Sequence, residues 1–92
     1  MNFEWDPVKA ASNLDKHGVD FADAVLVFED PWAITIEDTD ALGEARYISL
    51  GMGPAGRVLV VVYAYRQSSI RLISARMANR CERTNYEEGI RF

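Results

Sequence analysis

The sequence predicts an α+β domain in which an N-terminal αα-hairpin is followed by a four-stranded antiparallel sheet and a C-terminal helix. Apolar residues recur at helical spacing over residues 8–28, whereas period-two alternation and β-branched runs dominate residues 32–75. Asn79 and Glu82 then match a helix N-cap and its partner three residues later, so a last helix should run to about residue 88, with Gly89 as its left-handed stop. With 92 residues and no internal repeat, we expect one domain spanning residues 1–92.

Two helices are expected before the sheet. Asp6 precedes a proline at the first helical position and Gly18 supplies a left-handed stop, so the first helix should span residues 7–17. Asp20 begins the second helix, and an Asp-Pro pair at residues 30–31 ends it. Because the link between these helices is very short, we expect them to form an αα-hairpin.

Four segments have strand character. They cover residues 32–37, 45–52, 57–65 and 70–75. The third segment is almost continuously apolar, which is typical of a strand buried on both faces. Phe3 to Trp5 is either a brief additional strand or an anchoring segment. We expect helices to cover one face of the sheet and to leave the other face free.

Composition excludes several classes of protein. A single cysteine, Cys81, and a single histidine, His17, exclude an internal disulfide and a Cys/His metal cluster, so we expect no metal and no cofactor. The longest apolar run, residues 58–64, is far shorter than the ~20 residues of a membrane span. The first residues lack the pattern of a signal peptide. We therefore expect a cytoplasmic protein with no membrane partner.

Charge is divided unevenly along the chain, whose net charge is −4. Residues 1–44 contain eleven acidic residues and two lysines, whereas residues 45–92 contain eight arginines and three glutamates. Two interpretations stay open. The basic half could bind a phosphate backbone while the acidic half binds a basic protein, or the charges could interdigitate in the fold and only solvate the surface.

Residues 65–88 combine phosphate-binding groups with groups that can exchange a proton. The stretch contains five arginines, Arg66, Arg71, Arg76, Arg80 and Arg83. Arginine stays charged and its planar fork matches a phosphate with two parallel hydrogen bonds, so it binds anions well and is a poor base. Strand alternation places Arg71 and Arg76 on opposite faces of the last strand. The pattern therefore predicts a site that binds a polyanion and could also cleave it.

Three residues are candidates for proton transfer, and each has a structural alternative. Glu82 could be a base, but it could equally cap the last helix and form an ion pair with Arg76. Tyr86 shares a helix face with Glu82, and guanidinium groups beside the two are expected to lower the pKa of both; alternatively, Tyr86 is only a packed side chain. His17 is the side-chain type that most readily exchanges a proton near neutral pH, but it could instead bind the carbonyls that end the first helix.

Two motifs give the chain a resemblance to the BrnT family of type II toxins. The first is WDPVKAASNLDKHGVDF at residues 5–21, and the second is ISARMANRCERTNYE at residues 73–87. The resemblance implies a compact fold related to the RelE-like endoribonucleases and a toxin that cleaves RNA and thereby inhibits translation. It also implies neutralisation by a BrnA-like antitoxin with a ribbon-helix-helix part, in a heterotetramer that reaches operator DNA only through the antitoxin.

For such a nuclease the expected chemistry is metal-independent transphosphorylation, in which the RNA 2′-hydroxyl attacks the adjacent phosphate and expels the 5′-oxygen. Charge stabilisation in a single pocket is assigned to Arg66, Arg76 and Arg83. Glu82 ranks first as the base, and His17 and Tyr86 are the other candidates for base or acid. RNA binding is assigned to Arg71, Arg80 and Lys16. The rival interpretation is a non-catalytic module whose basic face binds an acidic protein or blocks RNA without cutting it.

Overall fold

The structure is a computed structural model that describes residues 1–39 and 43–89. Its helices are α1 (Pro7–His17), α2 (Phe21–Ala24) and α3 (Arg80–Glu88). Its strands are β1 (Asn2–Glu4), β2 (Ile34–Asp38), β3 (Arg46–Met52), β4 (Val58–Arg66) and β5 (Ser69–Met77). Short 3₁₀ helices cover Val25–Glu29 and Pro54–Gly56. The α+β class is confirmed, and no helix in the described part of the chain is long and apolar enough to cross a membrane.

All five strands form one mixed sheet in the order β1-β5-β4-β3-β2. Strands β2 to β5 make the predicted antiparallel meander. β1 adds to the outer edge of β5 in parallel, with Phe3 beside Ile70. The predicted four-stranded sheet was therefore one strand short, and the alternative of a brief strand near Phe3 is the one found. A segment of three residues is too short to show a clear strand pattern in the sequence. It becomes a strand because it pairs with β5.

The predicted αα-hairpin is wrong in its second half. α1 has its expected bounds, with Asp6 as N-cap and Gly18 as left-handed C-cap. α2 makes only one turn before the chain tightens into the 3₁₀ helix Val25–Glu29. Valine and phenylalanine in that run lose side-chain freedom in an α-helix, which disfavours its continuation. The tighter path also packs closely on β3, where a Cβ added to Gly51 would lie 2.8 Å from Val27 Cγ1.

Apolar side chains occupy both faces of the sheet. The larger cluster lies on the face covered by α1, α2 and the following 3₁₀ helix, and it contains Val19, Phe21, Ala24, Val27, Leu59, Val61, Tyr63, Ile70, Leu72 and Ala75. The smaller cluster lies on the opposite face and contains Ile34, Leu50, Val58, Val60 and Ala78. Tyr86 of α3 packs against this smaller cluster. The expectation of one free face was therefore wrong at this end of the sheet, because α3 covers part of it.

A β-bulge interrupts the pairing of β4 with β5. Val62 pairs with Ser74, but the next β4 residue, Tyr63, pairs with Leu72, so Ile73 has no partner on β4. An inserted residue shifts the in-out alternation of its strand by one position. Before the bulge, the even-numbered residues of β5 face the helix-covered core; after it, the odd-numbered residues do.

The phase shift decides which way the arginines of β5 point. Ala75 is fully buried on the same face as Ile70, although simple alternation would place it on the other. Arg71, Ser74 and Arg76 consequently share the face on which α3 lies. The prediction that Arg71 and Arg76 lie on opposite faces was wrong because the sequence carries no clear sign of the bulge.

Candidate functional site

The first part of the candidate site is the Arg76 corner, which consists of Arg76, Asn79 and Glu82. Arg76 donates two parallel hydrogen bonds to the Glu82 carboxylate, Nη1 to Oε1 at 2.8 Å and Nη2 to Oε2 at 2.9 Å. Glu82 Oε1 also accepts from the Asn79 backbone N–H at 2.9 Å, and Asn79 Oδ1 accepts from the Glu82 N–H at 2.8 Å. Glu82 thus both caps α3 and forms an ion pair with Arg76, the two contacts expected if it is a structural residue instead of a base.

These hydrogen bonds also shift the pKa values of Glu82 and Arg76. The hydrogen bond from Arg76 lowers the pKa of Glu82, and partial burial opposes this only in part. The same contact raises the pKa of Arg76. Glu82 is therefore ionised at neutral pH but accepts a proton poorly. The Arg76 side chain keeps 42% of its surface exposed, so a phosphate can still approach it.

Tyr86 is paired with a carboxylate instead of an arginine. Its hydroxyl donates to Asp30 Oδ2 at 2.5 Å. Burial, together with this carboxylate, raises the pKa of Tyr86 to about 12. The expectation of a lowered pKa was right for Glu82 and wrong for Tyr86, because the nearest charge to the phenol is negative. Tyr86 therefore keeps its proton at neutral pH and is a poor base.

Asp30 was predicted only to end the second helix, but it joins three elements. Its Oδ1 accepts from the Trp32 N–H at 2.9 Å, and its Oδ2 accepts from the Met52 N–H at 2.8 Å as well as from Tyr86. Burial raises the pKa of Asp30, but the hydrogen bonds outweigh it and leave that pKa below its usual value. Because Met52 and Tyr86 are distant in the sequence, no local pattern could have revealed this role.

Arg66 and Arg71 lie at the far end of the sheet, in a hairpin-end cluster with Glu44 and Glu4. Arg66 donates from Nε to Glu44 Oε2 at 2.7 Å, and Arg71 donates from Nη1 to Glu4 Oε2 at 3.0 Å. On β4, Arg66 lies six positions beyond the residue that pairs with Arg76. At ~3.3 Å per residue this corresponds to roughly 20 Å. The expected single pocket is therefore not formed, since Arg66 and Arg76 occupy opposite ends of one face.

The second part of the candidate site is a groove between α1 and β5, the α1–β5 groove. It encloses about 180 Å³ and is lined by Lys9, Ser12, Asn13, Lys16, His17, Ile73 and Ser74. Lys16 and His17 come from the last turn of α1, whereas Ser74 directly follows the bulge residue. Neither lysine forms an ion pair with another described residue. The groove therefore presents positive charge beside a hydroxyl and an imidazole.

Asn13 fixes the position of α1 against β5. Its Nδ2 donates to the carbonyls of Ala75 at 2.8 Å and Val19 at 3.0 Å, and its Oδ1 accepts from the Ala75 N–H at 3.1 Å. The side chain is buried and takes the place of a neighbouring strand just beyond the bulge. Sequence reasoning missed it, because helical spacing alone does not distinguish a buried asparagine from an exposed one.

The groove and the Arg76 corner adjoin each other. Ser74 and Arg76 are two positions apart on the same face of β5, which corresponds to about 7 Å. Arg83 follows Glu82 on α3, and Arg80 begins that helix. Both are exposed and have no ion pair with another described residue. The candidate surface therefore comprises Lys16, His17, Ser74 and Arg76, with Arg83 and Arg80 on the adjoining helix α3.

The candidate surface holds few groups suited to a metal ion. In the described ranges, no three histidine, cysteine, aspartate or glutamate side chains are grouped as metal ligands. Cys81 is exposed on α3 and has no disulfide partner. The groups available for chemistry are thus cations, one imidazole and hydroxyls.

Comparison with known proteins identifies the family. A family profile described as "Ribonuclease toxin, BrnT, of type II toxin-antitoxin system" matches residues 5–82. The chain belongs to the BrnT toxin family. The crystal structure of the Brucella abortus ribonuclease toxin BrnT is 27% identical and superposes with a TM-score of 0.72, covering 87% of this chain and 99% of that one. No curated protein sequence matches the chain.

Membership confirms the resemblance inferred from the two sequence motifs. The BrnT family consists of ribonuclease toxins of type II toxin-antitoxin systems, so RNA is the substrate class and an antitoxin is the implied partner. The match covers α1 and all of β5, the two elements that form the α1–β5 groove. It ends at Glu82, within the first turn of α3.

Proposed function

We propose that this BrnT toxin cleaves RNA by metal-independent transphosphorylation on the candidate surface. The observation that carries the proposal is the placement of His17 and Lys16 beside Ser74, two strand positions from Arg76. A proton-exchanging group and a lysine without an ion pair to another described residue thus line one groove, and a partly exposed guanidinium lies beside it. These are the parts that a ribose-phosphate reaction needs in the absence of a metal.

In the proposed reaction the 2′-hydroxyl oxygen attacks phosphorus, the bond to the 5′-oxygen breaks, and the products are a 2′,3′-cyclic phosphate and a 5′-hydroxyl. His17 accepts the proton of the 2′-hydroxyl, because Glu82 is tied to Arg76 and Tyr86 keeps its own proton, and the imidazolium so formed returns that proton to the departing 5′-oxygen. Arg76 and Lys16 stabilise the charge that develops on the phosphate. Glu82 is then a positioning residue that orients Arg76.

The remaining sequence candidates are proposed to bind RNA away from the bond that breaks. Arg83 and Arg80 are exposed on α3 and extend the positive charge from the Arg76 corner. Arg66 and Arg71 each have an acidic partner, which weakens their attraction for a phosphate. We assign these two to flanking nucleotides, since they lie on the same face but too far from Arg76 to share one phosphate.

We propose the cellular role on the basis of family membership. The toxin cleaves RNA in the cytoplasm and thereby inhibits translation, through a fold related to RelE-like endoribonucleases. A BrnA-like antitoxin with a ribbon-helix-helix part neutralises it in a heterotetramer. That complex reaches operator DNA only through the antitoxin.

The proposal is tested with purified protein and 5′-labelled RNA in the presence of EDTA. We expect cleavage with cyclic-phosphate ends, and a loss of about 100-fold or more in rate for His17→Ala. Asp15→Asn, an exposed change on the same helix, is the matched control and should cleave normally. Intact RNA with the wild-type protein would favour the non-catalytic binding module, and full activity of His17→Ala would remove His17 from the chemistry.

Glu82→Gln separates the two roles considered for Glu82. A glutamine whose amide oxygen takes the Oε1 position still accepts from Arg76 Nη1 and from the Asn79 N–H, and loses only the bond from Arg76 Nη2, so the geometry of the corner should be kept. We expect the rate to stay within about tenfold of wild type, whereas a general base would lose about 100-fold or more. Arg76→Ala should abolish cleavage, and a melting curve for each variant reports whether the fold is retained. Undiminished cleavage by Arg76→Ala would discard the arginine assignment.

A further inference from the structure

A second groove lies between Trp32 and Tyr86, and none of its lining residues belongs to the candidate surface. This Trp32–Tyr86 groove encloses about 410 Å³ and is also lined by Glu87, Glu88 and Gly89. Trp32 is 76% exposed, which is unusual for the largest apolar side chain. The α1–β5 groove shares no lining residue with it.

The Tyr86 side chain and the Trp32 backbone of the Trp32–Tyr86 groove are held in place before anything binds. Asp30 accepts hydrogen bonds from the Trp32 backbone and from the Tyr86 hydroxyl, so one carboxylate ties both walls. It also accepts from the Met52 N–H at the end of β3, which anchors the pair to the sheet. Because the Tyr86 wall and the backbone beneath the Trp32 indole are already fixed, binding has to order only the indole and the ligand.

The groove carries negative charge that helix stability does not explain. Glu87 and Glu88 end α3, whose last turn contains no basic residue. The C-terminal end of a helix is already negative, so acidic residues there destabilise the helix. Neither glutamate forms an ion pair with another described residue. Their charge is therefore available to a ligand.

We propose that the Trp32–Tyr86 groove docks a basic segment of a partner protein. An aromatic or long aliphatic side chain of that segment packs between Trp32 and Tyr86, and flanking lysine or arginine side chains pair with Glu87 and Glu88. An arginine can also stack on the exposed indole. RNA does not fit this charge, so the groove adds a protein-binding surface that is independent of the proposed RNA chemistry.

The test uses the full chain and a short fluorescein-labelled peptide in which a central leucine pair is flanked by lysines. Fluorescence anisotropy should show saturable binding that weakens with added salt. Trp32→Ala and replacement of the leucines by serine should each weaken binding by about tenfold or more. Absence of saturable binding, or binding indifferent to both changes, would overturn the proposal.

Charge reversal at two exposed positions separates docking from non-specific attraction. Glu88→Lys and Asp15→Lys change the net charge equally, but only Glu88 lines the groove. Lysine at position 88 also favours the helix end, so lost binding would not reflect lost structure. We expect Glu88→Lys to weaken binding about tenfold more than Asp15→Lys. Equal effects of the two variants would overturn the proposal.

Two other occupants are distinguished in the same series. Residues 90–92 lie outside the described part of the chain, so a variant that ends at Gly89 is titrated in parallel. Tighter peptide binding by this variant would assign the groove to the chain's own end. A Trp32-dependent dimer in sedimentation experiments would assign it to a second copy. Either result overturns docking of a partner protein, and unchanged binding by a monomer supports it.

Discussion

Tyr86 illustrates how a single neighbour determines the chemistry of a residue. The phenol donates to Asp30, and with burial this raises its pKa from 10.0 to about 12. A group whose pKa is raised on folding stabilises the fold while it is protonated. Its contribution is complete below pH 10 and is lost as the pH rises through 12, where a phenolate would face the carboxylate.

We therefore predict a pH-dependent difference in the free energy of unfolding between wild type and Tyr86→Phe. At neutral pH the variant should be less stable by roughly 1–2 kcal/mol, a value reduced for partial exposure of the phenol. The difference should shrink between pH 10 and 12. Denaturant unfolding at several pH values measures it. Because Tyr63 also has a raised pKa, only the difference between the two proteins is informative.

Some residue roles are visible in the sequence and others are not. Asn79 and Glu82 are three positions apart and form the predicted capping box, while Gly18 and Gly89 adopt the predicted left-handed caps. These are local interactions, so a short pattern specifies them. The bonds of Asp30 to Met52 and Tyr86 join positions 22 and 56 residues apart, and only the folded chain brings them together.

At the level of elements, the bulge in β5 determines the candidate surface. Without Ile73 as an extra residue, Ser74 and Arg76 would point toward the helix-covered core face and Ala75 toward α3. The strand itself was predicted correctly, but its phase was not. A bulge requires a mismatch between two strands, and neither strand alone records it.

Asn13 joins α1 to β5 through polar bonds, and we predict that these bonds contribute strongly to stability. Asn13→Ala removes three hydrogen bonds and leaves the Ala75 N–H and carbonyl unpaired at the buried edge of β5. We expect the free energy of unfolding to fall by about 2–4 kcal/mol. Chemical denaturation measures the change, and cleavage should fall as α1 loses its position.

Asn85→Ala is the control for this prediction. Asn85 is also helical and partly buried, but its side chain makes no hydrogen bond with another described residue. Its replacement should change the free energy of unfolding by no more than about 0.5 kcal/mol. Equal losses for the two variants would mean that Asn13 does not join α1 to β5.

For the whole molecule, folding redistributes the charge asymmetry of the sequence. Three of the four described ion pairs join an arginine of the second half to an acid of the first, as Arg57 does with Asp23 at 3.7 Å. These three pairs agree with the interpretation that the charges of the two halves interdigitate in the fold. The sequence predicted the local pair Arg76–Glu82 but not the other three, since each of those joins residues distant in the chain. The cations without an ion pair in the described ranges mark where an anion can still bind.

The salt dependence of RNA binding should distinguish cations that have an ion pair in the described ranges from cations that have none. A cation that contacts a phosphate releases counterions, so each such contact adds about 0.7 to the slope of log K against log salt for single-stranded RNA. Lys16 has no ion pair with a described residue, whereas Arg57 is already paired with Asp23. With RNA carrying 2′-O-methyl groups, which cannot be cleaved by the proposed reaction, Lys16→Gln should reduce the slope by that amount. Arg57→Gln, which removes the same charge, should leave it nearly unchanged. Equal reductions would mean that net charge, and not the α1–β5 groove, determines where RNA binds.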